Sequence, residues 1–155
     1  MSKLVSLTQG RHAIVDDDDY EYVIQHKWYV MRVRRHERVQ AWIDGKGIYL
    51  HNFILGAKNV DHINGNCLDN RRSNLRMATN QQNSFNRTKS KGKSSRFKGV
   101  SWTPGKTSKV WRAYIRHNYK LIHIGYFSTE EEAALAYNER AKMLFGEFAK
   151  GNNVT

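Results

Sequence analysis

Short alternating stretches of apolar and polar residues fill the first third of the chain and predict strands rather than long helices. Ala13 to Val15 is a brief apolar run. The aromatic and β-branched stretch 20–33 continues the pattern, although 20–27 fits one or two helical turns equally well. The four consecutive aspartates at 16–19 predict a solvated turn between these elements.

A hairpin is predicted next along the chain. Residues 39–43 lead into Asp44-Gly45, a pair favoured in two-residue hairpin turns, and strand-like residues follow at 48–50. These patterns predict that residues 1–56 form a β-rich N-terminal part. Large aromatic side chains usually lie in the core of small domains. We therefore expect three of the tryptophans to be buried, namely Trp28, Trp42 and Trp111.

The next stretch has the pattern of two strands followed by a helix. Residues 59–63 and 75–78 are predicted strands, with a turn at 64–66 between them. Thr79 is a suitable N-cap for a short helix that ends near Asn86. A β-β-α unit over residues 57–86 is therefore predicted.

A second small domain is predicted over residues 97–153. Its helix covers 128–146 and starts with a capping box built on Ser128 or Thr129. Three alternating segments before the helix predict a small antiparallel sheet packed on it, at 97–102, 110–116 and 121–127. The predicted fold class of the whole chain is α+β.

Positive charge is concentrated in the middle of the chain. The net charge is +12, and residues 57–96 alone carry nine Lys or Arg and two acids, Asp61 and Asp69. This excess predicts a polyanionic partner, with nucleic acid ahead of an anionic membrane surface. No apolar run approaches the ~18 residues of a membrane span. The single Cys67 excludes an internal disulfide, and we expect an intracellular, cytoplasmic protein.

Residues 60–86 contain the residue types needed to hydrolyse a phosphodiester. Asp61 offers a hard oxygen ligand for a divalent cation, and neutral His62 can take a proton from water. Asn74 and Asn83 each offer either an uncharged oxygen ligand or a hydrogen bond that locks a loop. One cation and one general base are the minimum for this chemistry. We interpret the other asparagines of the loop as turn formers, namely Asn64, Asn66 and Asn70.

The segment LHNFILG followed by VDHINGNCLDNRRSNLRMATNQQN, within residues 50–86, resembles the phage-type HNH homing endonucleases. The resemblance implies a ββα-metal unit that contains Mg²⁺ or Mn²⁺ and cuts double-stranded DNA. It implies that Asp61 and Asn83 bind the metal, that His62 is the general base and that Asn74 holds the loop in place. It also implies a phage gene expressed in a bacterial host, and a monomer that nicks DNA, with a dimer as the alternative for a double-strand cut.

Residues around this motif are expected to contact DNA phosphates. His51 matches the Leu-His feature that precedes the motif, with a supporting role that is either structural or near the scissile phosphate. Arg71, Arg72 and Arg76 are predicted phosphate clamps. The basic linker 87–96 is either a free tail or a strap along the phosphates, and its candidate contacts are Arg87, Lys89 and Lys91.

The C-terminal segments FKGVSW, VWRAYIR, LIHIGYFSTEEEAALAYNERA and FGEFAKGN resemble the plant ethylene-response-factor (APETALA-type) DNA-binding domain. The resemblance implies that the sheet enters the major groove with the helix behind it. Residues 97–127 carry six Lys or Arg and no Asp or Glu, which agrees with a sheet that faces DNA. The positions carried over are Lys98, Ser101, Trp102, Tyr114, Arg116 and His123. Ser101, Tyr114 and His123 depart from the plant pattern, so the plant target sequence is not transferred.

Together these observations predict a metal-dependent DNA endonuclease with a C-terminal DNA-binding domain. The alternatives are a non-catalytic DNA-binding regulator that keeps a decayed nuclease fold, and an RNA-binding protein.

Overall fold

The computed structural model describes residues 1–33, 36–86, 94–104 and 110–154. The chain divides into two compact units, Met1–Gln81 and Gln82–Thr155, which we call the first and the second unit. None of the helices in the described residues combines the length and the apolarity that crossing a bilayer requires.

The first unit contains two small antiparallel sheets and two short helices before the β-β-α segment. A two-stranded sheet pairs β1 with β2, and a three-stranded sheet has the order β3-β4-β5. The elements are β1 (Ser2–Ser6), β2 (His12–Asp16), α1 (Asp17–Val23), β3 (Tyr29–Val33), β4 (His36–Ile43), β5 (Lys46–Tyr49) and α2 (Leu50–Leu55).

One hydrophobic core joins these elements to the motif hairpin. Buried side chains from the N-terminal strands and helices pack in one cluster with Val60 and Leu75, which lie on the two strands of that hairpin. Trp28 is 1% exposed, and its Nε1 donates a hydrogen bond to the backbone oxygen of Val23. Residues 1–56 therefore supply most of the apolar surface on which the motif rests.

The structure corrects three expectations for the N-terminal part. Asp17, Asp18 and Asp19 form the first turn of α1 rather than a solvated turn, because acidic side chains complement the positive end of a helix dipole. The segment predicted as a strand end at residue 50 begins α2 instead. Trp42 is 68% exposed, because neighbouring Ala41 faces the core and side chains alternate along a strand. The predicted hairpin at Asp44-Gly45 is confirmed, with positive φ at both residues.

The predicted strands and helix of the motif are confirmed. β6 (Val60–His62) pairs antiparallel with β7 (Leu75–Met77), and α3 covers Asn80–Phe85. The division between the two units falls inside α3, so Asn83 belongs to the second unit. Within that unit Phe85 stacks on Phe145 with ring centroids 3.7 Å apart.

The second unit is a three-stranded antiparallel sheet of order β10-β9-β8 packed on one long helix, as predicted. Its elements are β8 (Val100–Trp102), β9 (Trp111–His117), β10 (Lys120–Phe127) and α4 (Glu130–Phe145). The capping box forms through Thr129, whose side chain accepts from the backbone of Glu132 while the Glu132 side chain accepts from the backbone of Thr129.

Small side chains bring α4 close to the sheet. Ala133 and Ala134 are fully buried on the helix, and Tyr137, at 2% exposed, packs in the same interface. Gly99, just before β8, has a φ of +72°, and a Cβ at this position would lie 2.1 Å from the Tyr137 ring and 2.6 Å from the backbone oxygen of Tyr114. Only glycine combines this backbone conformation with so close a contact.

We expect Gly99→Ala to destabilise the second unit by about 2–5 kcal/mol, since it adds steric overlap to left-handed backbone strain. Gly56 is the matched control, because it has a φ of +60° with nothing within 4 Å of an added Cβ. Gly56→Ala should destabilise the first unit by only about 1–2 kcal/mol. Native-state hydrogen exchange of the amides in β9 and in α2 measures the two units separately. Equal losses in the two variants would show that the contact with Tyr137 carries no energy.

Candidate active site

The hairpin formed by β6 and β7 places Asp61 opposite Arg76. The two residues are register partners, and the Nη2 atom of Arg76 lies 3.0 Å from Oδ2 of Asp61. Both side chains are largely buried, with Asp61 7% and Arg76 12% exposed. A buried carboxylate needs a compensating charge, and Arg76 supplies it. The side chain of Asp61, the predicted metal ligand, is thus paired with the guanidinium of Arg76, which belongs to the same unit.

His62, the next residue on β6, is buried and held by an asparagine. Its Nε2 atom lies 3.2 Å from Oδ1 of Asn70. The ring of His51 meets the His62 ring edge to face, with centroids 4.9 Å apart, and His51 in turn stacks on Tyr49. The structure therefore brings the His62 and His51 rings into contact, while Asp61, the residue before His62 on β6, pairs with Arg76.

Burial keeps both imidazoles neutral. It lowers the pKa of His62 below the ordinary value, and the nearby positive charge of Arg38 adds to this, while the hydrogen bond with Asn70 opposes it. Burial lowers the pKa of His51 to about 3, with further contributions from His62 and Arg38. A neutral His62 has a nitrogen lone pair with which to accept a proton.

Asn74 connects the loop between β6 and β7 through three hydrogen bonds. Its Oδ1 accepts from the backbone nitrogen of Asn64 at 3.0 Å, and its Nδ2 donates to the side chain of Asn64 and to the backbone oxygen of Asp69. Asn64 and Asn66 also accept bonds from backbone nitrogens two residues further on, which is the behaviour of turn formers. In this structure Asn74 links the two ends of the loop.

Asn70 differs from the other loop asparagines. It is 0% exposed, whereas Asn64 and Asn66 lie at the surface. Besides its contact with His62, it donates from Nδ2 to the backbone oxygen of Cys67. The interpretation of Asn70 as a turn former alone is therefore incomplete. Nothing in an asparagine-rich loop distinguishes this residue by sequence, because its backbone is held by Ile14, which lies in a segment distant in the chain.

The three arginines predicted as phosphate clamps all pair with carboxylates. Arg71 makes two bonds of 2.7 Å to Asp69, which help to lower the pKa of that carboxyl below its ordinary value. Arg72 makes two bonds to Asp19, at 2.9 and 2.7 Å. Arg76 pairs with Asp61. The contacts of these arginines with DNA stay predictions. To bind a phosphate, each arginine would have to share its guanidinium between that phosphate and its carboxylate partner.

The charge pairs also attach the motif to the N-terminal elements. The backbone nitrogen of Arg72 donates to Asp16, and the guanidinium of Arg72 reaches the backbone oxygen of Ile54 as well as Asp19. The loop between β6 and β7 also makes backbone hydrogen bonds with β2. The Ile14 nitrogen donates to the Leu68 oxygen and the Ile14 oxygen accepts from the Asn70 nitrogen, both at 2.7 Å. The acidic stretch 16–19 thus works partly as an anchor for the motif.

The remaining predicted ligand, Asn83, lies on α3 in the second unit and is partly exposed. Its metal-binding role is what the resemblance to the HNH homing endonucleases implies, and it stays a prediction. In the described ranges, no three His, Cys, Asp or Glu side chains cluster in a way that could hold a metal ion. The linker residues Arg87, Lys89 and Lys91 lie outside the described residues.

In the second unit, one face of the sheet is turned away from α4. Ala113 and Ile115 of β9 are buried towards the helix, so the alternating residues between and beside them lie on the opposite face. Pairing in register extends this face across the sheet, with Ser101 opposite Arg112 and Tyr114 opposite His123. The outer face includes four of the predicted DNA contacts, Ser101, Tyr114, Arg116 and His123.

Two further polar or aromatic residues on this outer face were not among the predicted contacts. Arg112 lies with its guanidinium 5.5 Å from the centre of the Tyr114 ring, and Tyr126 pairs with Arg112 in register and lies 4.8 Å from the His123 ring, centroid to centroid. Strand alternation from Arg116 would have found Arg112. Alternation along β10 would not have placed Tyr126 on this face, because the β-bulge between His123 and Gly125 shifts the alternation of side chains.

The other two predicted contacts are placed differently. Trp102 is 49% exposed and pairs in register with Trp111 at the end of the sheet. Lys98 is partly buried, and its Nζ donates to the backbone oxygen of Phe85 at 2.5 Å. Burial lowers the pKa of Lys98 to about 8. Lys98 therefore serves an internal contact of the second unit in this structure.

Comparison with known proteins identifies the family. A family model described as HNH endonuclease matches residues 56–85. An uncharacterized HNH endonuclease of Acanthamoeba polyphaga mimivirus is 38% identical, over 97% of this chain and 80% of the relative. Protein 3.8 of Escherichia phage T7 is 30% identical, over 81% of this chain and 95% of the relative. No solved structure matches the chain significantly. The buried Asp61–His62 pair thus lies in a nuclease motif, and the chain belongs to the HNH endonuclease family.

Proposed function

We propose that the first unit cleaves double-stranded DNA with the aid of a divalent metal ion, with His62 as the general base. The observation that supports this most is the environment of His62. The ring is buried, its pKa is lowered, and its neighbour on β6 is the carboxylate of Asp61. A neutral base beside a carboxylate matches the requirements of metal-assisted hydrolysis.

The residues present fit a divalent cation. Asp61 supplies a carboxylate oxygen, and an ion bound there would have to displace Arg76 from that oxygen or share it, because the two side chains are paired in this structure. Mg²⁺ and Mn²⁺ prefer oxygen donors, and the carboxylate of Asp61 is one. The resemblance to the HNH homing endonucleases implies an amide oxygen of Asn83 as the second protein ligand. When bound, the ion would stabilise the negative charge that develops on the phosphate and on the leaving oxygen.

His62 performs the proton transfer in this proposal. The neutral ring accepts a proton from a water molecule, whose oxygen forms a bond to phosphorus while the bond from phosphorus to the 3′ oxygen breaks. The leaving 3′ oxygen takes a proton from solvent, so the products carry a 5′ phosphate and a 3′ hydroxyl. Asn74 keeps the loop after His62 closed, and His51 packs against the base as an uncharged neighbour.

The second unit is proposed to bind the DNA through the outer face of its sheet. This face is defined by Ser101, Arg112, Tyr114, Arg116, His123 and Tyr126, which combine cations with aromatic rings. The helix side carries the acids of the first turn of α4, so it is less suited to a polyanion. The arrangement agrees with the resemblance to the plant ethylene-response-factor domain, in which the sheet contacts the major groove.

The homing type of activity is part of the same proposal. The motif carries asparagine at its final position, Asn83, as the phage-type homing enzymes do, and the two relatives belong to viruses. We take the enzyme to act on DNA inside the infected cell, as a monomer that nicks or as two copies that cut both strands.

We expect His62→Ala to lower the rate of plasmid cleavage by roughly 10²–10⁴-fold, since it removes the general base. Cleavage by the unchanged protein should require Mg²⁺ or Mn²⁺ and stop with EDTA, while the affinity of the variant for DNA stays close to that of the unchanged protein. Supercoiled plasmid resolved on a gel measures the rate, and a binding assay in EDTA measures the affinity.

His12→Ala is the matched control, because His12 is an exposed histidine of the same unit. It should cleave at the rate of the unchanged protein. Equal rates for His62→Ala and His12→Ala would remove His62 from the mechanism, and a lack of any metal-dependent cleavage would favour a DNA-binding regulator.

For the second unit, we expect Arg116→Gln to weaken DNA binding and to reduce the slope of log K against log[salt] by about 0.9, the value for one phosphate contact on B-DNA. Arg140→Gln changes an exposed arginine on α4 and should leave both quantities unchanged. Fluorescence anisotropy over a series of salt concentrations measures them. If the Arg140 variant lost more affinity than the Arg116 variant, the helix side would be the DNA-binding side.

A further inference from the structure

The side chain of Asn70 is fixed at both ends inside the first unit. Asn70 is 0% exposed. Its Nδ2 atom lies 3.0 Å from the backbone oxygen of Cys67, and its Oδ1 atom lies 3.2 Å from Nε2 of His62. A buried amide with partners at both ends has one orientation that satisfies both.

The contact with Cys67 determines that orientation. A backbone oxygen can only accept a hydrogen bond, so the NH₂ group of Asn70 must face Cys67 and the amide oxygen must face His62. An amide oxygen can also only accept. The Nε2 atom of His62 must therefore carry a hydrogen, and in the neutral ring the lone pair lies on Nδ1.

The backbone of Asn70 is anchored as firmly as its side chain. The backbone nitrogen of Asn70 donates to the oxygen of Ile14 at 2.7 Å, and the nitrogen of Ile14 donates to Leu68 at 2.7 Å. Ile14 lies in the middle of β2, which is paired with β1 along its whole length. The N-terminal hairpin thus sets where the amide oxygen stands relative to the His62 ring.

We propose that Asn70 is a positioning residue that selects the Nε2–H tautomer of His62, so that Nδ1 is the atom that takes the proton from the attacking water. The inference rests on the proposed role of His62 as general base. Asn70 itself does not touch the substrate. It acts by removing the other tautomer, in which Nδ1 would carry the hydrogen and could not accept the proton.

Nitrogen NMR of the metal-free protein tests this directly. The protein is labelled with ¹⁵N-histidine and studied at about pH 8, well above the reference pKa of a histidine. The signals of His62 are assigned by their loss in His62→Ala. We expect a pyrrole-type Nε2 that carries hydrogen and a pyridine-type Nδ1 that does not. A pyrrole-type Nδ1 in the unchanged protein would overturn the proposal, whatever the variants do.

Asn70→Ala removes the acceptor, and Asn66→Ala is its matched control. Asn66 lies in the same loop at the surface, and its side-chain oxygen accepts a hydrogen bond from the backbone nitrogen of Leu68. In Asn70→Ala we expect a mixture of the two tautomers and a fall in kcat of roughly 10–100-fold with little change in KM, as for other groups that orient a functional side chain. Asn66→Ala should keep the single tautomer and its kcat.

The outcomes separate this inference from the proposed function. If His62→Ala cleaves as fast as the unchanged protein, the role of His62 fails, whereas the tautomer is still read from the spectrum. If the spectrum shows hydrogen on Nδ1 while His62→Ala is inactive, His62 remains the base and the role of Asn70 fails. An equal loss of kcat in Asn70→Ala and Asn66→Ala, with one tautomer in both, would show that Asn70 only stabilises the loop.

Discussion

The folding of the motif depends on the hydrogen bonds and ion pairs made by its buried polar side chains. Asp61, His62, Asp69, Asn70 and Asn74 are all buried. A buried polar group without a partner costs about 1–3 kcal/mol, and a buried unpaired charge costs more. The first unit meets this requirement with Arg76 for Asp61, Arg71 for Asp69, and a network of loop asparagines for the others.

The same constraint produces the chemistry of the site. Because the motif is buried, the pKa of His62 and that of His51 are lowered and both rings are neutral. Burial also requires that the His62 ring have a partner, and Asn70 fills that position with an oxygen that can only accept. The N-terminal part of the chain therefore does more than complete a core, because β2 carries the backbone contact that holds Asn70.

How well the sequence predicts the structure depends on whether the cause of an element is local. β6, β7, α3 and the capping box of α4 were predicted because strand alternation and capping act over a few residues. The aspartates at 16–19 were misjudged, since the partner of Asp19 is Arg72, 53 positions away in the chain. Asn70 was grouped with the turn asparagines because the segment that holds its backbone, β2, is also distant in the chain. Pairing of distant segments decided both cases.

The most direct test of the account is to locate the metal ion. Crystals of the protein grown with DNA and Mn²⁺ would show the ion by its anomalous scattering. We expect the strongest peak at about 2.1 Å from a carboxylate oxygen of Asp61. A peak held instead by Asp69 or by the aspartates of α1, with Asp61 still paired to Arg76, would contradict the assignment of Asp61 and the cleavage mechanism built on it.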